Sequence, residues 1–483
     1  MGIFKAQRAC IFFAKLGLIT ALGAGAMAKA KPGEPPVSKA VYLKDETMSP
    51  LPDHVRAALT NREAGDYYYV TDYQIRPKIY RKVGRSRYDG VALAWLKPRS
   101  DLSTQEQRCY YVFLSGSPDC LSARQLGREI ASVDPQKSDL LKWSRSSALK
   151  IGLTQTRDLL VDLMRRRDPE GGAFETRLRQ AAANARWRAA DAVVADASLN
   201  HSRTGIFFFL GIDVSDHSPN RDQIREASNY ARKLGFVTHT FETGPADSSK
   251  NNAAQIAAQM AQQLAKVDRA IFVGASKGVA DFLHWVFLHS QKLGAEERAK
   301  LKIFISLSGS VRESFVADWL MNVRRTNAEL FRTMMEVFKR DAMPGIESLS
   351  HSPWVYAPKS TSLRDRFPQM RWVSFAMIPE ALDGMSYLDE WNLMFQEHVY
   401  REARYRAPSD GLMETAASLL PPGTGVREYV VRGFGPHALS LGNFVDGKKI
   451  APRTQTGKSE PQPAAGVELI DAFLRSIPST WIK

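Results

Sequence analysis

From Thr204 onward, short and almost unbroken apolar runs alternate with helix-length amphipathic segments. Gly205–Leu210 is the first such run, and its lack of polar alternation is what a strand buried on both faces of a parallel sheet requires. Asn220–Leu234 carries helical spacing and stops at Gly235, Phe236–Phe241 reads as a strand, and Asn251–Val267, rich in alanine and glutamine, as a helix. Ala270–Val273, Ile303–Leu307, Arg371–Ile378 and Arg427–Arg432 supply further strands, with helices predicted over Val279–Ser290 and Val467–Ile477. This alternation predicts an α/β domain over residues 204–483, a mainly parallel sheet flanked by helices.

Two stretches depart from that rhythm. Residues 29–203 form an N-terminal α+β extension of unassigned fold, with strand-like runs at Tyr67–Tyr73, Gly90–Trp95 and Arg108–Ser115 and a helical stretch at Phe174–Ala195. Residues 310–370 form a helical insertion in which Val316, Trp319, Leu320, Val323, Leu330, Met334, Met335 and Phe338 recur near helical spacing. Such a face suits either a helix pair packed on the core or a lid over an apolar substrate pocket.

The first residues have a separate grammar. Lys5, Arg8 and Lys15 precede an uncharged run, Leu16–Ala28, that ends in the small-residue sequence Ala26-Met27-Ala28, as in a cleaved export signal over residues 1–28. A periplasmic or secreted protein is therefore expected, with an uncleaved membrane anchor as the lesser alternative. Removal of that segment leaves Cys109 and Cys120 as the remaining cysteines, a pair that an oxidising compartment permits to bridge.

Apolar residues at 44% and charged residues at 24% sit near globular averages, so the chain of 483 residues is expected to fold around a sizeable core. Its formal charge of +15 falls only to +12 without residues 1–28. Arg165–Arg167, Arg177, Arg179, Arg186 and Arg188 form a local basic cluster, read either as a solvated helix face or as a contact for an anionic membrane surface. Net charge alone does not specify nucleic acid, and none is expected.

The candidate chemistry begins at Gly274-Ala275-Ser276-Lys277-Gly278, a G-x-S-x-G pattern that an apolar strand enters and an apolar helix leaves. A serine on such a turn is held in a strained conformation that lifts its hydroxyl off the sheet, beside unpaired amides of the helix start. A serine hydroxyl is a weak nucleophile and needs a general base, which in turn needs an orienting acid. His437, in the loop after the last predicted strand, is the candidate base, and Asp410, in the turn Ser409-Asp410-Gly411, the candidate acid. Asp383, nearer the strand Arg371–Ile378, is the alternative acid.

The pattern Gly274–Gly278, the turn at Asp410 and the loop at His437, in the chain order Ser, Asp, His, resemble the α/β-hydrolase family, in particular its esterases and lipases, over about residues 204–483. The resemblance implies an oxyanion hole made by the backbone amides of Lys277 and Ile212. Leu210 and Ala275 stand where many relatives carry His. The activity implied is hydrolysis of a carboxylic ester, small or lipidic, through an acyl-enzyme. A noncatalytic, envelope-associated binding protein on the same scaffold is the alternative. Neither metal-ligand spacing nor a nucleotide-binding glycine loop is present in the sequence, so no cofactor or metal is expected; oligomeric state is not legible.

Overall fold

The computed structural model describes residues 131–483, apart from 152, 169, 171, 184–186, 213–218, 336–341, 359–361, 379–406 and 435–464. The export segment, Cys109, Cys120, the strand-like runs before residue 116, Asp383 and His437 lie outside the described residues. The chain divides into two compact units, one of which comprises 131–134, Trp143–Leu160 and Asn327–Met334 among its described residues, the latter two stretches almost wholly helical. The other, Pro135–Lys142, Val161–Thr326 and Met335–Lys483, carries the sheet and everything below.

That sheet has six strands, all parallel: β1 (Thr204–Phe209), β2 (Val237–Thr240), β3 (Arg269–Ala275), β4 (Leu301–Leu307), β5 (Arg371–Ile378) and β6 (Arg427–Phe434), in the spatial order β2-β1-β3-β4-β5-β6. Around it lie α1 (Ala173–Ala183), α2 (Pro219–Lys233), α3 (Ser249–Ala265), α4 (Lys277–Leu288), α5 (Phe315–Thr326), α6 (Met343–Leu349) and α7 (Ala465–Ser476). The α/β architecture predicted from the alternating runs is therefore present, and every residue of β1 is buried.

Burial on both faces follows from side-chain alternation along each strand. Ile206 and Phe208 of β1 join a core with Phe174 and Leu178 of α1, Ile224 of α2 and Phe473 of α7. Phe207 and Phe209 point the other way, into a core with Ile256 and Met260 of α3 and Phe282 and Trp285 of α4. Phe282 stacks on Phe304 at 4.1 Å between ring centroids, and Phe304 on Trp372 at 4.3 Å, so aromatic contact runs from helix to sheet and across two strands.

Two expectations need adjustment. The stretch Phe174–Ala195 is not one helix: α1 covers Ala173–Ala183, residues 187–189 have no helical structure, and a single 3-10 turn follows at Val193–Ala195. There the Val193 amide donates to Ile477 O at 2.9 Å, a tertiary bond that overrides local propensity. In the arginine cluster, Arg165, Arg166 and Arg188 are exposed, whereas three others are bonded within the fold. Arg167 is buried against Glu428 at 2.6 Å, Arg177 donates to Ser476 O and Asp191, and Arg179 pairs with Glu175. In the insertion, Val316, Trp319, Leu320 and Val323 are all buried on one face of α5.

Candidate active site

The turn between β3 and α4 is where the sequence placed a nucleophile. Ser276 sits there at φ 51°, ψ −123°, as the residue immediately before the helix. That conformation costs an L-residue on the order of 1–3 kcal/mol and persists only where the surroundings impose it. They do so through both backbone polar groups: the Ser276 amide donates to Leu307 O at 3.0 Å, and its carbonyl accepts from Ser310 N at 3.0 Å and Val279 N at 3.2 Å.

Two glycines let neighbouring backbone approach this turn. A Cβ at Gly278 would lie 2.5 Å from Phe209 O and 2.7 Å from Leu210 O, so the first turn of α4 is pressed on the end of β1. A Cβ at Gly211 would lie 3.0 Å from Ser276 Cβ and 3.2 Å from Ala275 O. The loop that carries Ile212 therefore runs directly against the turn at Ser276, where the expected second oxyanion donor would have to lie. The Lys277 amide belongs to the first residue of α4 and so has no intrahelical acceptor.

The side chain of Lys277 was not foreseen as a structural element. It is fully buried and its Nζ donates to both carboxylate oxygens of Asp281, at 2.8 and 2.9 Å, while Asn252 Nδ2 of α3 donates to the same carboxylate at 2.8 Å and to Gly244 O at 3.0 Å. The ion pair is internal to the helix at i,i+4, and it neutralises a positive charge at the helix end that disfavours one. A lysine and an aspartate at that spacing in an otherwise apolar helix are the signal available in the sequence.

Asp410 lies in a closed turn. Its amide donates to Met413 O at 2.9 Å, and its Oδ1 accepts from the amides of Leu412 at 3.0 Å and Met413 at 2.7 Å, so the chain itself orients the carboxylate. Gly411 takes the positive φ of 103° that the turn demands. Thr415 Oγ1 donates to Met377 O at 2.8 Å, fixing the turn to the carboxyl end of β5. One residue joins the turns of the candidate acid and candidate nucleophile: the Ser310 amide binds Ser276 O, and its hydroxyl reaches Met413 Sδ at 3.3 Å, in the turn that holds Asp410. The turns at Ser276 and Asp410 thus meet at the carboxyl end of the sheet, beyond β3 and β5 on either side of β4, where sites of parallel α/β sheets form.

Ser308, at the carboxyl end of β4, is a second serine with positive φ, 43°, and its buried Oγ has no hydrogen-bond partner. No motif announced it. Ser276 and Ser308 are the non-glycine residues with positive φ among those described, and both stand at the same end of the sheet. On α4, His284 is buried and its Nδ1 donates to Ala280 O at 2.8 Å; burial pushes its imidazole below the ordinary value. Among the described residues no group of three His, Cys, Asp or Glu side chains is placed to hold a metal.

No family model and no curated protein sequence matches the chain. Among solved structures it is similar to a metagenomic carboxyl esterase, at 17% identity over 56% of this chain and 76% of that one, with a TM-score of 0.36. A lipase of Bacillus licheniformis in mature form is similar at 16% identity over 49% and 86% of the two chains, TM-score 0.34. Carboxyl esterase 2 from the mycorrhizal fungus Tuber melanosporum is similar at 17% identity over 57% and 79%, TM-score 0.30. At these values the strand order and the strained turn at Ser276 define the α/β-hydrolase-like fold.

Proposed function

We propose that the chain is a serine-dependent carboxylic ester hydrolase. The observation that carries this reading is the strained Ser276 backbone, held by three hydrogen bonds between β3 and α4 with the Gly211 loop packed on it. Strain of this kind is a cost without a packing return, and it presents the hydroxyl where a substrate can reach it. In the proposed cycle Ser276 Oγ attacks the ester carbonyl while His437 takes its proton. The amides of Lys277 and Ile212 stabilise the oxyanion, and His437 returns the proton to the leaving alcohol. Water, deprotonated by the same imidazole, then releases the acid. Asp410 orients the imidazole, its carboxylate already fixed by the Leu412 and Met413 amides.

A fluorophosphonate probe tests this directly: covalent labelling at Ser276, abolished in Ser276→Ala, is expected, and an unlabelled folded protein would promote the noncatalytic binding reading. The substrate proposed is a small or lipidic ester. Export with loss of residues 1–28 belongs to the same proposal, and N-terminal sequencing of the mature protein checks it.

A further inference from the structure

The opposite end of the sheet holds a cavity of about 460 Å³ whose lining includes Lys302, Arg364, Arg371, Arg427 and Lys483 and no aspartate or glutamate. Lys302 lies near the start of β4, and Arg371 and Arg427 are the first residues of β5 and β6. The strands run from there toward Ser276, so the cavity is separated from the nucleophile by the length of the sheet, on the order of 20 Å.

The cationic groups are crowded and only partly compensated. Arg371 and Arg427 are register partners on adjacent strands, an arrangement that is repulsive for like charges. Arg427 meets Glu170 only at 3.5 Å, and Lys483 pairs with Asp196 at the rim, whereas Lys302 bonds the neutral amide of Gln369 and Arg371 Nη1 the carbonyl of Trp481, at 3.1 Å. Arg371 Nε is buried with no acceptor at all. Asp365, next to Arg364, is committed to the cap of the short helix Leu363–Arg366, accepting from the Ser362 amide at 2.8 Å. Burial, together with the charges of Arg269 and Arg371, holds the Lys302 ammonium below the ordinary lysine value, as expected where positive charge lacks a counterion. Trp481 lies beneath, with the Arg371 guanidinium 5.6 Å from its ring centre.

We propose that this cavity is a binding site for a phosphate group, distinct from the ester-cleaving end of the sheet. Arginine forks and a lysine converging on one space match the several oxygens of a tetrahedral oxyanion, and a space larger than the oxyanion itself leaves room for the molecule bearing it. The phosphate is supplied either by a soluble phosphate compound or by the headgroup of an anionic lipid.

Calorimetric titration of the full chain with inorganic phosphate at low salt, and co-sedimentation with vesicles of phosphatidylglycerol or of phosphatidylcholine, test the site and separate its sources. Expected is either saturable phosphate binding with a dissociation constant near or below about 1 mM, or phosphate-competed retention on phosphatidylglycerol alone. Lys302→Gln/Arg364→Gln should weaken either by about tenfold or more. The exposed single variant Arg364→Glu, which alters no buried group, should act in the same direction, and both should leave ester turnover unchanged. Absence of binding in both arms, equal binding to phosphatidylcholine, or binding indifferent to both variants would overturn the proposal.

Discussion

The two ends of the sheet are built on different accounts. At the carboxyl ends of the strands the charges are balanced and the backbone is strained: Lys277 and Asp281 neutralise one another in the interior, while Ser276 and Ser308 hold positive φ. At the amino ends the backbone is ordinary and the charges are unbalanced, with Arg371 beside Arg427 and Lys302 facing a neutral partner. Strain aims a nucleophile and has no use in holding an anion; uncompensated charge attracts an anion and would perturb a hydroxyl that must be deprotonated only by its base. On the functions proposed above, chemistry falls at one end and binding at the other.

The strongest way to break that comparison is at the strained end. Ser276→Ala should lower ester turnover by several orders of magnitude with the fold intact, and His437→Ala should do the same. Their combination should cost little more than either, because the members of such a unit act together. Measured kcat/KM for the three variants checks this. Next in size is the buried pair. Lys277→Ala leaves the Asp281 carboxylate uncompensated in the interior and should destabilise the protein by about 3–5 kcal/mol, whereas Lys277→Met with Asp281→Leu should recover most of that loss in a denaturant titration.

A smaller effect is expected at Gly278. Gly278→Ala drives a methyl into the Phe209 and Leu210 carbonyls, so α4 must shift, and a displacement of this order at the nucleophile should lower kcat by about 10²-fold while KM changes little. The smallest concerns acid. His284 is held neutral by burial, so charging it is penalised in the folded chain and not in the unfolded one. Below about pH 6.5 the unfolded state binds more protons, and stability, full above that value, is lost as the pH falls. His239 and His289 are displaced in the same direction. The thermal midpoint should therefore decline on acidification, and His284→Gln should remove part, not all, of the slope.

What was legible follows from how local each signal is. The run Arg371–Ile378 is apolar after its first residue except for Ser374 and was read to its exact limits, and β1, β3 and β4 followed from similarly apolar runs. The elbow was legible because strand, glycine-flanked serine and helix are contiguous. Arg167 could not be read as buried because its partner is distant: it meets Glu428, itself held by Ser374 Oγ at 2.6 Å and Leu420 N at 2.8 Å, from 261 positions away. The cationic cavity was illegible for the same reason, being assembled from the first turns of three strands and the last residues of the chain.

The backbone of Ser276 has a consequence for the history of the fold. A chain selected for foldability alone would place glycine at 276, where φ 51° costs it nothing. Ser276→Gly is then a substitution that should strengthen the folded state, by about 1 kcal/mol or more, and leave it chemically inert. On the proposed function, the serine at 276 is stability surrendered for a reactive hydroxyl, and the difference between the two variants measures how much is surrendered.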